Sequence, residues 1–232
     1  MWTRLVAGAA AHDINNLAQG LSNLLALASS PTANRESLDR YASLARDGLK
    51  DLRQLATNLR SLANAQSGAE TQRLDLLAVD VVTELGALGT MGDRAVDVSA
   101  PADAGALVEG PGPALRLAIQ SLVRYGVAAS APLARVAVSV AREDRNVVLV
   151  VSAPTAPSPR TTAEAELGAL LGGAEREFGG DAGLVFAGAS AHLLGGRATA
   201  GPAPGGGGLQ FKLSLPRAEE AQREGAGDVR TT

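Results

Sequence analysis

The feature that most constrains the fold of this chain is an apolar repeat near the N-terminus, in the stretch AAAHDINNLAQGLSNLLALA from Ala9 to Ala28. His12 is not part of the repeat, because at about 100° per residue it lies nearly opposite Ile14. The pattern therefore predicts a helix that packs against other helices and carries an imidazole on its solvent-facing side. The predicted seam consists of Ala7, Ala10, Ile14, Leu17, Leu21, Leu24 and Ala28.

Polar side chains accompany His12 along the same helix face. Asn16, Gln19 and Asn23 follow it at helical spacing, and Asp13 is its immediate neighbour. A neutral imidazole nitrogen is a nucleophile near pH 7, and an adjacent carboxylate can keep the opposite ring nitrogen protonated. Asp13 is therefore a candidate for tuning the ring, and Asn16 for orienting a water molecule or a phosphoryl oxygen.

A second amphipathic helix is predicted after a break at 29–34, where Pro, Ser, Thr and Asn favour the end of one helix and the cap of the next. Its seam consists of Leu38, Tyr41, Ala45, Gly48, Leu52, Leu55, Leu59 and Leu62, widened by Leu44 and Leu49. Two such helices form a hairpin that leaves much of its apolar seam uncovered. We therefore expect a homodimer, a four-helix bundle with a copy of His12 on the outside of each hairpin.

The pattern changes after a predicted linker at 66–71 to a mixture of short strands and helices. We expect an α+β fold in which residues 1–66 form the hairpin, 67–216 form an α/β sandwich, and 217–232 form a disordered tail. Strands are predicted at 74–76, 96–99, 106–109, 135–141, 147–151, 197–200 and 209–215, and helices at 79–88, 113–129, 163–171 and 183–194.

Composition excludes several classes of function. A net charge of -3 and a pI near 5.5 give no electrostatic footprint for nucleic acid. The chain has no cysteine and only two histidines, so a thiolate or histidine-rich metal site is not expected. No apolar run approaches the roughly 20 residues that span a bilayer, and no secretory signal is present. We expect a soluble, cytoplasmic protein without membrane contact.

The segment from His12 to Asn16, HDINN, resembles the phospho-acceptor box of bacterial two-component histidine kinases. The second half resembles the ATP-binding domain of the same family through three segments: LRLAIQSLVRYGVAA, VVLVVSAP and AGLVFAGASAHLLGGRATAGPAPGGGGLQFKLSLP. The resemblance spans residues 5–216. It implies a dimeric bundle followed by an α/β sandwich.

The resemblance also shows that the nucleotide-binding side chains of the family have changed. Ser121 and Tyr125 stand at its two helix asparagines, and a phenol is a poor ligand for the magnesium that bridges the ATP phosphates. Ala153 stands at the aspartate that binds adenine, and it accepts no hydrogen bond. Two glycines are replaced by Thr155 and Pro157, and Asp181 stands where a glycine would approach the phosphates.

These features together imply a histidine phosphotransferase of the kinase-like dimeric type. His12 would relay a phosphoryl group between the aspartates of response-regulator receivers, fed by an upstream hybrid kinase. The protein would need no cofactor of its own, since the receiver would supply magnesium. Asn15, Asn16, Gln19 and Asn23 would flank the docked receiver.

Two alternatives remain open at this point. One is a sensorless histidine kinase with an unusual ATP site. The other is a non-catalytic module that binds a receiver, or promotes its dephosphorylation through Asp13 and Asn16.

Overall fold

The computed structural model describes residues 2–31, 33–64, 68, 70–99, 106–154, 182–203 and 208–218. Over these ranges the chain forms a helical hairpin followed by a five-stranded sheet covered by helices. This architecture is the α+β fold that the sequence predicts, with the helical part first.

The hairpin consists of α1, Trp2–Ala28, and α2, Arg35–Asn64, which pack against each other. The break between them lies where the sequence predicts it. A reciprocal cap starts α2: the Ser37 backbone N–H donates to Asn34 Oδ1 at 2.8 Å, and the Asn34 N–H donates to Ser37 Oγ at 3.0 Å. Both hydrogen bonds satisfy backbone N–H groups that would otherwise have no partner at the helix N-terminus.

The second region contains seven strands and three helices among the described residues. Its main sheet has the order β2-β4-β5-β7-β6, in which only the β2–β4 pair is parallel, and β1 pairs separately with β3. The elements are β1 Glu70–Arg73, α3 Leu74–Ala87, β2 Ala95–Ser99, β3 Leu107–Gly110, α4 Gly112–Ala129, β4 Arg135–Glu143, β5 Asn146–Pro154, α5 Ala182–Leu193, β6 Arg197–Pro202 and β7 Gly208–Pro216.

The core lies between the sheet and helices α4 and α5. Cross-strand pairing puts Val140, Leu149 and Leu213 in one row, and all three are buried. The row above it joins Val138, Val151 and Phe211 in the same way. Helix α4 covers these rows, because every third or fourth residue along it is apolar and buried. The central position of α4 places its exposed side toward the hairpin.

The strand predicted at 74–76 is wrong, and so is the end of the linker predicted at 66–71. Residues 70–73 form β1, because they pair antiparallel with β3. Leu74 then starts α3, and its N–H donates to the carbonyl of Ala106 at 2.9 Å. No residue of the predicted strand lies in β1, since residues 74–76 form the first turn of α3.

The other predicted strands and helices within the described ranges are present, with boundaries shifted by a few residues. The helix predicted at 163–171 lies outside the described residues, as do 219–232 of the predicted tail. Arg217 and Ala218 belong to the sandwich: their N–H groups donate to the carbonyls of Arg145 and Leu107 at 2.8 and 2.9 Å. None of the described helices is long and apolar enough to cross a membrane.

The turn before β6 yields the first prediction. A side chain at Gly196 would place its Cβ 2.3 Å from the carbonyl oxygen of Ser214, whereas a Cβ at Gly201 would meet no atom within 4 Å. We expect Gly196→Ala to lower the free energy of unfolding by at least about 2 kcal/mol, because backbone atoms of β7 must move. Gly201→Ala is the matched control and should change it by less than about 0.5 kcal/mol. Urea unfolding measures both.

The start of α3 yields the second prediction. Asp75 is almost fully buried, and the Arg73 guanidinium that binds both its carboxylate oxygens holds the pKa of Asp75 below its usual value. A lowered pKa means that the pair stabilises the fold at neutral pH and that this stability is lost as pH falls through the folded-state pKa. Asp75→Asn should therefore be less stable than the native chain at pH 7. In urea unfolding at successively lower pH the difference should shrink, and a constant difference would contradict the account.

Candidate functional site

The predicted solvent-facing orientation of His12 is confirmed. Its side chain is 46% exposed, and its Nδ1 lies 3.3 Å from Oδ1 of Asp13. The amide Nδ2 of Asn16 lies 3.2 Å from Nδ1 and 3.3 Å from Nε2 of the same ring. In the tautomer with hydrogen on Nδ1, the ring donates to Asp13 and keeps the Nε2 lone pair as its nucleophile.

The polar stripe of α1 continues beyond this group. Gln19 donates from Nε2 to Oδ1 of Asn23 at 3.0 Å, and both side chains are exposed. Asn15 is exposed as well. The residues predicted to surround a docked partner therefore form one accessible surface on α1, continuous with the imidazole.

The α/β region packs against the hairpin close to the residues that precede His12 in the sequence. Ala9 and Ala10 are 2% and 4% exposed, and α1 contacts α5. Their small side chains let the two helices approach closely, and Leu55 of α2 is buried in the same core. This contact places a second structural unit within one helical turn of the imidazole.

The predicted apolar seam of α1 is covered in part within the single chain. Ala10 is buried and Leu17, Leu21 and Leu24 are half-buried, whereas Ala7 and Ile14 are exposed. The heptad pattern identified the apolar residues, but it could not tell which of them one partner helix alone would cover.

A cleft of about 610 Å³ separates the hairpin from the α/β region. Polar side chains line both of its walls, and Asp13 and Asn16 bring the immediate partners of His12 into it. The hairpin wall consists of Asp13, Asn16, Leu17, Asp51, Gln54, Leu55 and Asn58. The facing wall consists of Thr90, Arg94, Ser121, Arg124, Tyr125, Val127, Ala128 and Phe186.

The two walls carry opposite charge. Asp13 and Asp51 lie on the hairpin side, and Arg94 and Arg124 lie on the other. Arg94 donates from Nη2 to the carbonyl of Ser130 at 3.3 Å, which ties it to the end of α4. Arg124 is half-buried, and its side chain makes no hydrogen bond or ion pair with any residue that the structure describes. A guanidinium in this position is free to bind an anion.

The described positions that correspond to nucleotide-binding residues of histidine kinases do not provide the expected ligands. The Tyr125 ring packs edge-on against Phe211, with 5.3 Å between the ring centroids. Ala153 is 1% exposed and presents a methyl group where the family has an adenine-binding carboxylate. Among the residues placed in the structure, no group of three His, Cys, Asp or Glu side chains could hold a metal. Separately, Tyr125 and Ala153 lack the amide and carboxylate groups that the resemblance to histidine kinases implies for magnesium and adenine binding, so these two positions do not fit a magnesium–ATP complex.

The remaining changed positions, Thr155, Pro157 and Asp181, lie outside the described residues. Their effect on nucleotide binding stays a prediction from the sequence.

Sequence reasoning missed the cleft wall that lies opposite Asp13 and Asn16. Arg94 and Arg124 carry no motif, and only folding brings them opposite α1. The hairpin wall did carry a signal on α2: Gln54 donates to Asn58 at 2.8 Å, with the same four-residue amide spacing as the pair on α1. That repeated spacing marks a second helix face adapted to polar contacts.

The solved structures that resemble this fold include the following three. The Acinetobacter baumannii histidine kinase AdeS matches 88% of this chain and 95% of its own at 13% identity, with a TM-score of 0.58. The catalytic domain of histidine kinase ThkA matches 65% of this chain and 96% of its own at 14% identity, with a TM-score of 0.53. Full-length ShkA, solved in complex with AMPPNP, matches 93% of this chain and 46% of its own at 15% identity, with a TM-score of 0.57.

These likenesses define a class of fold: the helical region and the α/β domain are arranged as in histidine kinases. At such low identity they establish the fold alone. No protein-family model matches the chain, and no curated protein matches it in sequence.

The seating of the α/β region yields the third prediction. Ala10→Leu should destabilise the protein by about 1–3 kcal/mol, because Ala10 is buried in the core and the added methylenes have no room there. Ala11→Leu is a matched control on the exposed neighbour and should stay within about 0.5 kcal/mol. Urea unfolding compares the two, and equal effects would show that the buried contact does not hold the regions together.

Proposed function

We propose that this chain is a cytoplasmic histidine phosphotransferase that relays a phosphoryl group between response-regulator receivers through His12. The observation that carries the proposal is an exposed imidazole with Asp13 at one ring nitrogen and Asn16 beside both. The changed side chains at Tyr125 and Ala153 support transfer from a phosphorylated protein rather than from ATP.

The transfer step balances without a further reactant. The Nε2 lone pair of His12 attacks the phosphorus of an aspartyl phosphate on the receiver, an N–P bond forms, and the P–O bond to aspartate breaks. The receiver carboxylate leaves with the electron pair. The positive charge that develops on the ring is balanced by Asp13 through the hydrogen on Nδ1. The reverse step passes the group to the next receiver.

Asn16 has a defined part in this scheme. Its amide nitrogen lies close to both ring nitrogens in the resting state, so it must release Nε2 before the ring attacks. Once released, the amide can donate to a phosphoryl oxygen. Asn15, Gln19 and Asn23 extend the contact surface for a receiver, which would supply the magnesium.

A homodimer is part of the proposal. Large apolar side chains on the hairpin are exposed in the single chain: Ile14, Leu25, Leu27, Leu38, Leu44 and Leu49. Covering them with a second hairpin would remove this surface from water at about 25 cal/mol per Å². A four-helix bundle is the arrangement that buries two such hairpins at once.

The fourth prediction concerns His12 itself. Incubation with phosphorylated receivers from the same genome should transfer an acid-labile label to the native chain, and His12→Gln should abolish the transfer. His192→Gln is the matched control, since it removes the other histidine of the sequence and should leave labelling intact. Label on the His12→Gln variant would contradict the assignment.

A parallel incubation with labelled magnesium–ATP separates the transferase from a histidine kinase with an unusual nucleotide site. We expect no saturable binding and no label on His12. Labelling from ATP would establish the kinase alternative.

A receiver-binding or phosphatase module is the second candidate function. The proximity of the Asn16 amide to His12 favours this module over a histidine kinase with an unusual nucleotide site. An amide in this position can orient a water molecule toward a receiver's aspartyl phosphate. Receiver dephosphorylation that persists in His12→Gln and is lost in Asn16→Ala would support this module and contradict the relay.

A further inference from the structure

The cleft between the hairpin and the α/β region holds a cation that the transfer step described above does not use. Arg124 lines the cleft from α4, and Asp13 and Asn16, which both lie against the His12 ring, line it from α1. We propose that Arg124 is a positioning residue that binds the phosphoryl group of phosphorylated His12 across this cleft. The inference deepens the proposed function and rests on His12 carrying a phosphoryl group.

Charge supports this assignment. In the unphosphorylated protein the cleft already holds the carboxylates of Asp13 and Asp51 opposite Arg124 and Arg94. A phosphoryl group on His12 adds close to two negative charges beside Asp13. Without a cation nearby this addition would be repulsive. Within the described part of the chain, Arg124 is the guanidinium in the cleft that makes neither a hydrogen bond nor an ion pair.

The neighbouring arginine is less suited to the role. Arg94 already donates from Nη2 to the carbonyl of Ser130, which ties its side chain to the end of α4. Its Nε is buried without a hydrogen-bond partner among the described residues, so that this donor does not reach the open cleft. Arg124 is half-buried, which keeps its charge weakly screened while leaving its side chain able to move. A planar guanidinium can also donate two parallel hydrogen bonds to one phosphoryl group.

The packing of the helices supports the proposed contact between Arg124 and the phosphoryl group. Ala9 and Ala10 are buried directly before His12, α1 contacts α5, and α2 contacts α4. Packing therefore holds the wall that bears Arg124 across the cleft from Asp13 and Asn16, the two residues that lie against the His12 ring.

The test is a thermodynamic cycle between phosphorylation and substitution. Every variant carries His192→Gln, so that phosphoramidate can modify only the imidazole of His12. Urea unfolding at pH 8 and fixed protein concentration is then measured for the phosphorylated and unphosphorylated forms. Phosphoramidate replaces the receiver, so the result does not depend on finding the natural partner.

We expect Arg124→Gln to raise the unfolding equilibrium constant about three- to tenfold more in the phosphorylated form than in the unphosphorylated form. Arg124→Lys should keep part of this coupling, and added salt should weaken it. Arg142→Gln removes an exposed arginine on β4 outside the cleft lining and should show no coupling.

Equal effects of Arg124→Gln on both forms would overturn the inference. A larger effect of Arg124→Gln on the phosphorylated form, found together with no transfer of label from receivers to His12, would uphold the inference and reject the relay. A His12 that takes no phosphoryl group from phosphoramidate would overturn both.

Discussion

The packing of the hairpin on the α/β region, which buries Ala9, Ala10 and Leu55, is the interaction on which the arrangement of the site depends. These three residues belong to the same core as the buried face of the sheet and its helices. Because Ala9 and Ala10 have small side chains, α1 approaches its neighbours closely just before His12. Without this packing the cleft lined by Asp13 and Asn16 would have no second wall.

Two of the changed nucleotide-binding positions line the cleft. Helix α4 presents Ser121 and Tyr125 toward the hairpin. Tyr125 lines the cleft and packs edge-on against Phe211, and Ala153 is buried. The lining is polar and carries two arginines. Such a surface supports the contact that we propose with a phosphoryl group on the neighbouring helix.

The charges around the imidazole support the role of reversible carrier that we propose for His12. Asp13 is partly exposed, so it can balance charge on the ring without being fully desolvated. Asn16 lies beside the same ring nitrogens and contributes a neutral hydrogen bond, which costs little to exchange for another.

The sequence by itself determined the exposed imidazole, its acidic and amide neighbours, the hairpin, and most strands of the sheet. These features depend on periodicity and caps, which act over a few residues and can be read locally. Only the tertiary structure decided that β1 precedes Leu74, that Ala10 is buried while Ile14 is exposed, and that Arg124 faces the site. Such outcomes depend on contacts between residues distant in sequence, and no local pattern encodes which surfaces will meet.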